Sequence, residues 1–266
     1  MLTDAQILNA AADLLRAERT RTQIGLLSQR HPQATLQDAY AIQSAQIVQK
    51  LAQGREIIGW KIGLTSRVMQ AALGIATPDS GVLYDDMLFE TGSRIPAGRF
   101  IQPRIEAEIA FVMKSSPPAN PTREDMLDAI AHVVPALEIL DTRILRADPD
   151  TGTARTIFDT IADNAANAGI VLGRQRHDPR KVDLRWTGAI VSRNGLIEAT
   201  GLGAAVLNDP LTAVIWLARR MSEYGQRIEP EQVILSGSFI APIECPQGAD
   251  ISADFGKFGR VDVSFA

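Results

Sequence analysis

The sequence is short of the residues that most often build reactive or adhesive sites. Its 266 residues include one cysteine, Cys245, and three histidines, His31, His132 and His177. A lone cysteine excludes an internal disulfide and suits a reducing compartment. Histidines scattered without ligand spacing, beside a single thiol, argue against a zinc centre. Aromatic residues make up 5% of the chain, and no apolar run is long enough to span a bilayer. The formal net charge is -4 with Lys and Arg dispersed, so the basic face of a nucleic-acid binder is missing. Met1-Leu2-Thr3-Asp4 lacks the basic and apolar pattern of a secretory signal, and the expectation is a cytoplasmic protein. Common phosphate-binding and nucleophile motifs are absent too. There is no Walker loop and no G-x-S-x-G elbow, and Gly201-Leu202-Gly203, without a third glycine, reads as a turn. Cys245, set between Glu244 and Pro246, reads as incidental rather than nucleophilic.

What remains is an ordinary globular mixture, 45% hydrophobic and 22% charged, long enough for a sizeable core. Thr3 is a helix cap ahead of Ile7, Leu8, Ala11, Leu14 and Leu15 at helical spacing. Thr35 caps a second helix with Leu36, Tyr40, Ile47 and Leu51 on one face and Gly54 as its stop. From Ile57 the texture changes to short apolar runs broken by Gly, Pro and Asp. Strands are expected over Ile57–Leu64, Ile105–Val112, Val133–Leu140, Ala189–Arg193, Val233–Leu235 and Val261–Phe265. One late helix follows Asp209 and Pro210, with Leu211, Val214, Ile215, Ala218 and Met221 at its apolar positions. Helices first and mostly strands afterwards argue an α+β fold, with residues 1–56 as a helical portion and 57–266 as a β-rich catalytic domain.

Chemistry concentrates in three places. In Ile105–Val112, strand alternation puts Glu106 and Glu108 on one face, about 7 Å apart along the strand, opposite Ile105, Ala107, Ile109 and Phe111. Such a pair is either a solvated acidic face or a cation site. Glu138 interrupts the apolar run Val133–Leu140, where an ionised carboxylate is costly unless it is paired or coordinates a metal. It either bridges to an arginine at an edge or joins the other two acids in an all-oxygen site suited to Mg²⁺ or Mn²⁺. Lys61 interrupts Ile57–Leu64 in the same way, either snorkelling from an edge or buried beside an anion, where it could serve proton transfer. Gly59 and Gly63 beside it suggest close approach by a ligand or another backbone.

These residues lie in longer stretches. Gly59 to Ser66, Pro78-Asp79-Ser80-Gly81, Pro103 to Glu108, Pro135 to Glu138 and Asp159 to Ala165 resemble the 2-oxopent-4-enoate hydratase and 4-oxalocrotonate decarboxylase family, in order along nearly the whole chain. Asp148 to Phe158 and Asn164 to Gly169 resemble members acting on a seven-carbon diacid of homoprotocatechuate-type aromatic breakdown. The resemblance implies a fumarylacetoacetate-hydrolase-like mixed β-roll with an N-terminal helical portion. It also implies a homo-oligomer, in the family's manner a decamer of dimers. Glu106, Glu108 and Glu138 are then the Mg²⁺ (or Mn²⁺) ligands, with Lys61 and Asp79 lining the active site.

The activity expected is hydration of a 2-oxo-enoate or 2-hydroxydienoate to a 4-hydroxy-2-oxo acid. Asp79 would activate the water, while Lys61 would balance enolate charge or move a proton. An acylpyruvate hydrolase is a rival reading, but superfamily hydrolases carry an Asp as third ligand and an Asn-Asp-Val-Ser-Ala-Arg string, and Glu138 with the absence of that string weighs against it. A 4-oxalocrotonate-type decarboxylase is another, though those members resemble this chain less at Asp79, where they carry an apolar residue. A non-catalytic partner subunit is a third. A diacid substrate also needs a cation for its far end, for which Arg146 and Arg155 are the candidates.

Overall fold

The computed structural model describes residues 1–67, 70–71 and 77–266. Three helices come first: α1 (Asp4–Thr20), α2 (Leu27–Arg30) and α3 (Leu36–Ala52). Thr3 and Thr35 cap α1 and α3, each in a reciprocal capping box with the residue three positions on, Gln6 and Asp38. The inward face of α3 differs from the expected one. Leu36 and Leu51 are exposed, while Ala39, Ile42, Gln43, Gln46 and Lys50 are buried. The polar members point inward because each finds a partner there. The Gln43 amide donates to the carbonyls of Ser80 and Ile161, both at 3.0 Å, that of Gln46 to Ala162 at 2.7 Å, and Lys50 pairs with Glu18 at 2.7 Å.

Most of the remaining chain forms two sheets. The larger contains β1 (Ile57–Gly63), β2 (Asp79–Tyr84), β3 (Leu88–Glu90), β5 (Arg104–Met113), β6 (Ile130–Leu140), β7 (Asn167–Leu172) and β10 (Val233–Leu235), ordered β2-β1-β10-β5-β6-β7-β3, with β11 (Ile243–Glu244) added on β5. The smaller contains β4 (Ser93–Ile95), β8 (Gly188–Arg193), β9 (Leu196–Leu202), β12 (Asp250–Asp254) and β13 (Arg260–Phe265), ordered β4-β13-β12-β8-β9. Helices α4 (Arg123–Ala129), α5 (Ile157–Ala162) and α6 (Pro210–Glu223) fall between strands. Gly201 and Leu202 close β9 instead of forming a turn, and a side chain at Gly201 would strike the Phe239 carbonyl.

The main core lies between the sheets and α6. Ile105, Ala107, Ile109 and Phe111 of β5 and Leu137 and Ile139 of β6 meet Val191, Ala253 and Val261 of the smaller sheet and Leu211, Val214 and Leu217 of α6. Alternation then sends the other residues of these strands to the opposite face. There, Leu83, Ala110, Val134, Ala136, Ile170 and Leu235 form a second apolar cluster, and at one end of it the polar residues gather.

Candidate metal centre and active site

Register builds this group before any side chain is considered. Antiparallel pairing sets Glu106 of β5 directly across from Glu138 of β6, and Glu108 is two residues along the same face. One oxygen from each of the three lies within 4.8 Å of the others. Glu108 and Glu138 are fully buried, and Glu106 is half-buried at the rim. Lys61 of β1 points to the same side, its Nζ 3.7 Å from Glu138 Oε1. Asp79 begins β2 opposite Gly63, and both sit beside Lys61. The glycine is required here: a Cβ on residue 63 would lie 2.1 Å from Asp79 Oδ1 and 3.0 Å from Lys61 Nζ.

The five groups expected from the sequence are therefore brought together, with a strong charge imbalance. Burial raises the pKa of all three glutamates. Glu138 raises Glu106 and Glu108 further, pushing Glu106 up to about 8. Burial also raises Asp79, against the pull of Lys61 and of the Gly63 N–H bonded to it. Lys61 loses hydration on burial, but Glu138, Asp79, Glu106 and Glu108 outweigh that loss and hold it protonated. Glu108 Oε1, Glu138 Oε2 and Asp79 Oδ1 are buried with no hydrogen-bond partner in the protein. Buried carboxylate oxygens without donors are costly. A hard divalent cation suits this all-oxygen set, because it would partner the orphaned oxygens and offset the excess negative charge.

The surroundings orient these acids. Glu108 Oε2 accepts from the Gly237 N–H at 2.7 Å, and Glu138 Oε1 accepts from Asn167 Nδ2 at 2.8 Å. Asn167 Oδ1 is left without a partner. Asn167 ends a short run, Asn164-Ala165-Ala166, whose φ angles of 51°, 51° and 61° are all left-handed. Such a conformation is costly for residues with a Cβ and has to be held from outside. Arg143 holds it by pairing with Asp163 at 2.5 Å and donating to the Asp163 and Asn167 carbonyls. Asn164 fixes the other side: its side chain accepts from Val82 N–H and donates to Val82 O, as a neighbouring strand would. The stretch from Asp159 to Asn167 thus ties β2, which carries Asp79, to Glu138.

Asn167 and Gly237 were not singled out as site residues from sequence. Asn167 lay within a noted stretch; the Gly237 contact is a backbone N–H and leaves no side-chain signal. A cleft of about 500 Å³ opens beside Asp79, walled by Tyr40, Pro78, Ile161 and Trp216 among others. Of the two arginines expected to face a diacid, Arg146 is bound to Glu244 at 2.5 Å, while Arg155 has a buried Nη1 without a partner.

No protein-family model matches the sequence. Fumarylpyruvate hydrolase from Pseudomonas aeruginosa, solved with Mn²⁺ and pyruvate, shares the architecture with a TM-score of 0.58, at 12% identity over 78% of this chain and 88% of that one. The fold is that of the fumarylacetoacetate-hydrolase superfamily. A 2-oxo-hept-4-ene-1,7-dioate hydratase of Escherichia coli is 46% identical over 256 residues, 96% of each protein. The structure of 4-oxalocrotonate decarboxylase from Pseudomonas putida G7, with magnesium and adipate, matches with a TM-score of 0.92 and 32% identity over 100% of this chain and 99% of that one. The chain belongs to the 2-oxopent-4-enoate hydratase and 4-oxalocrotonate decarboxylase family, and it is an enzyme.

Proposed function

We propose that this enzyme is a hydratase of the 2-oxohept-4-ene-1,7-dioate type, in which Glu106, Glu108 and Glu138 hold Mg²⁺ or Mn²⁺ and Lys61 and Asp79 handle charge and protons. The observation carrying this reading is the convergence of three carboxyls, two of them buried with an unpartnered oxygen each, beside a protonated lysine and a fourth, buried acid. A divalent ion bound there supplies a Lewis acid for an oxygen bearing negative charge and a grip for an α-keto acid.

The protein's own groups then act in sequence. Loss of a proton from C3 of the substrate places negative charge on the C2 oxygen, which the Lys61 ammonium balances. Return of a proton at C5 moves the double bond into conjugation with the ketone and makes C4 electrophilic. Asp79 accepts a proton from water as the water oxygen bonds C4 and C3 regains a proton, giving the 4-hydroxy-2-oxo acid. Burial favours this assignment, because it raises Asp79 and makes its carboxylate a stronger base than an exposed one. The Gly63 N–H fixes the direction of that carboxylate.

The similarity to 4-oxalocrotonate decarboxylase supports a second reading, loss of CO₂ from a 2-oxo-3-enedioate at the same site. An acid at position 79 favours hydration, since water addition needs a base and this decarboxylation does not. We further place the enzyme in the cytoplasm as a homo-oligomer. The buried free thiol of Cys245 supports the first, and exposed Trp186, Ile190, Leu196 and Ile197 support the second.

The test is an ultraviolet assay on 2-hydroxydienoates with and without a distal carboxylate, run after chelation and again after Mg²⁺ is returned. The expected result is conversion to 4-hydroxy-2-oxo acids that stops on chelation and resumes with Mg²⁺. Release of CO₂ from an authentic 2-oxo-3-enedioate, without hydration, would replace the reading with the decarboxylase. Two acid fragments would replace it with a hydrolase.

A further inference from the structure

Two guanidinium groups near the carboxylate cluster make no ion pair among the described residues, because the acids that attract them, Glu244 for Arg104 and Asp163 for Arg155, are held by Arg146 and Arg143. Arg104 opens β5 two residues before Glu106, so alternation turns it toward the face that carries the site. Its partner across the strand pair is Glu244, but both oxygens of that carboxylate are taken by Arg146, at 2.5 and 3.3 Å. Arg155 follows the bridge between Ala147 and Ala154, and its backbone N–H donates to the Arg146 carbonyl at 3.0 Å. This places Arg155 beside the same strand end. Among the described residues neither Arg104 nor Arg155 makes an ion pair or a side-chain hydrogen bond, and Arg155 Nη1 is buried without a partner.

Both side chains are half-buried, where an uncompensated cation is expensive. Burial lowers the pKa of each; Asp163 pulls Arg155 back up, but Arg104, Arg146 and Arg143 oppose it, and Arg146 likewise opposes the pull of Glu244 on Arg104. Both arginines act on the site's acids: Glu106 attracts Arg104, and Arg155 joins Lys61 and the Gly63 N–H in opposing the burial that raises Asp79. An arginine pair that repels itself next to a substrate site is a receptor lacking its anion. A planar carboxylate is the group whose geometry matches a guanidinium fork. The carboxyl at the α-keto end of the substrate is already accounted for by the cation site.

Resting on the hydratase reading, we propose that Arg155, assisted by Arg104, receives the distal carboxylate of the substrate and so makes this a site for 2-oxo-enedioates rather than monocarboxylic 2-oxo-enoates. Arg146, bound to Glu244, supports the loop and does not contact substrate.

The test compares wild type with Arg155→Gln on 2-hydroxyhepta-2,4-diene-1,7-dioate and 2-hydroxypenta-2,4-dienoate. Losing a charged hydrogen bond is expected to raise KM for the diacid roughly 10- to 100-fold and leave the monoacid nearly unchanged. Arg155→Lys should recover part of the loss, since it keeps the charge without the fork. Arg104→Gln should shift the diacid-to-monoacid ratio in the same direction by a smaller factor; an equal loss on both acids would remove it from the receptor. Calorimetric binding of adipate and of pentanoate to the Mg²⁺-loaded proteins keeps the test independent of turnover. Adipate binding that weakens in Arg155→Gln, with pentanoate unchanged, supports the assignment even if the reaction proves not to be hydration. Adipate binding that ignores residue 155, or equal losses on both dienoates, overturns it.

Discussion

Glu106→Gln is expected to abolish Mg²⁺-dependent turnover, by roughly 10³-fold or more, while the folded structure persists. Glu106 suits this experiment better than its neighbours. It is the half-exposed member of the trio, whereas Glu138 holds the Asn167 amide and Glu108 the Gly237 N–H. Gln keeps the shape and removes one anionic oxygen, so the site loses charge and affinity without leaving a hole in the core. A second readout comes from the pKa of about 8, against an ordinary value of 4.5. A carboxyl raised in the folded state contributes stability that is complete below its unfolded value and disappears as pH climbs through the folded one. The melting temperature of chelated wild-type protein should therefore fall between about pH 5 and pH 8, and Mg²⁺ should restore it at the upper end. In Glu106→Gln both the fall and the restoration should shrink. Retained turnover in this variant would remove the carboxylate trio from the mechanism.

Asp79→Asn should separate the two halves of the reaction. Water addition is expected to drop by about 10²- to 10⁴-fold, the range for losing a positioned general base. Solvent deuterium exchange at C3 and C5, which reports tautomerisation, should fall far less. The physical reason is that Asn preserves the volume beside Gly63 and an oxygen for its N–H, while Lys61 and the three glutamates stay in place. Product formation followed by chromatography, alongside exchange followed by NMR, gives both numbers from one sample. Equal losses in hydration and exchange would contradict the role given to Asp79.

The parts of the site that lie on alternating strands were legible before the structure. Glu106 and Glu108 stand two apart in a run whose other face is Ile105, Ala107, Ile109 and Phe111, and the strand observed, Arg104–Met113, has that polarity. Glu138 and Lys61 stood out as charges inside apolar runs, and both are buried in strands. Their convergence was not legible from periodicity, because it depends on register. Glu106 meets Glu138 only because β5 and β6 pair in that alignment, and Lys61 reaches them across β10. For that step the resemblance to a family carried the reading.

Other elements escaped for local reasons. Strand β2 is buried throughout yet begins Asp-Ser-Gly, and β7 begins Asn-Ala-Gly, compositions that signal turns. Both are specified by tertiary partners, with Asn164 standing in as a strand neighbour for β2 and Glu138 engaging Asn167. The inward side of α3 escaped because Gln43, Gln46 and Lys50 bury polar groups that bond distant carbonyls and a carboxylate. An apolar-periodicity reading looks for leucines and finds Leu36 and Leu51, which face solvent.

Crystals of the protein soaked with Mn²⁺ and measured at the manganese absorption edge would test the oxygen cage directly. The expected map has one strong anomalous peak bonded to carboxylate oxygens of residues 106, 108 and 138, at about 2.1–2.2 Å. A map with no peak there, or with the manganese held by other side chains while those three acids keep their protons, would contradict the account.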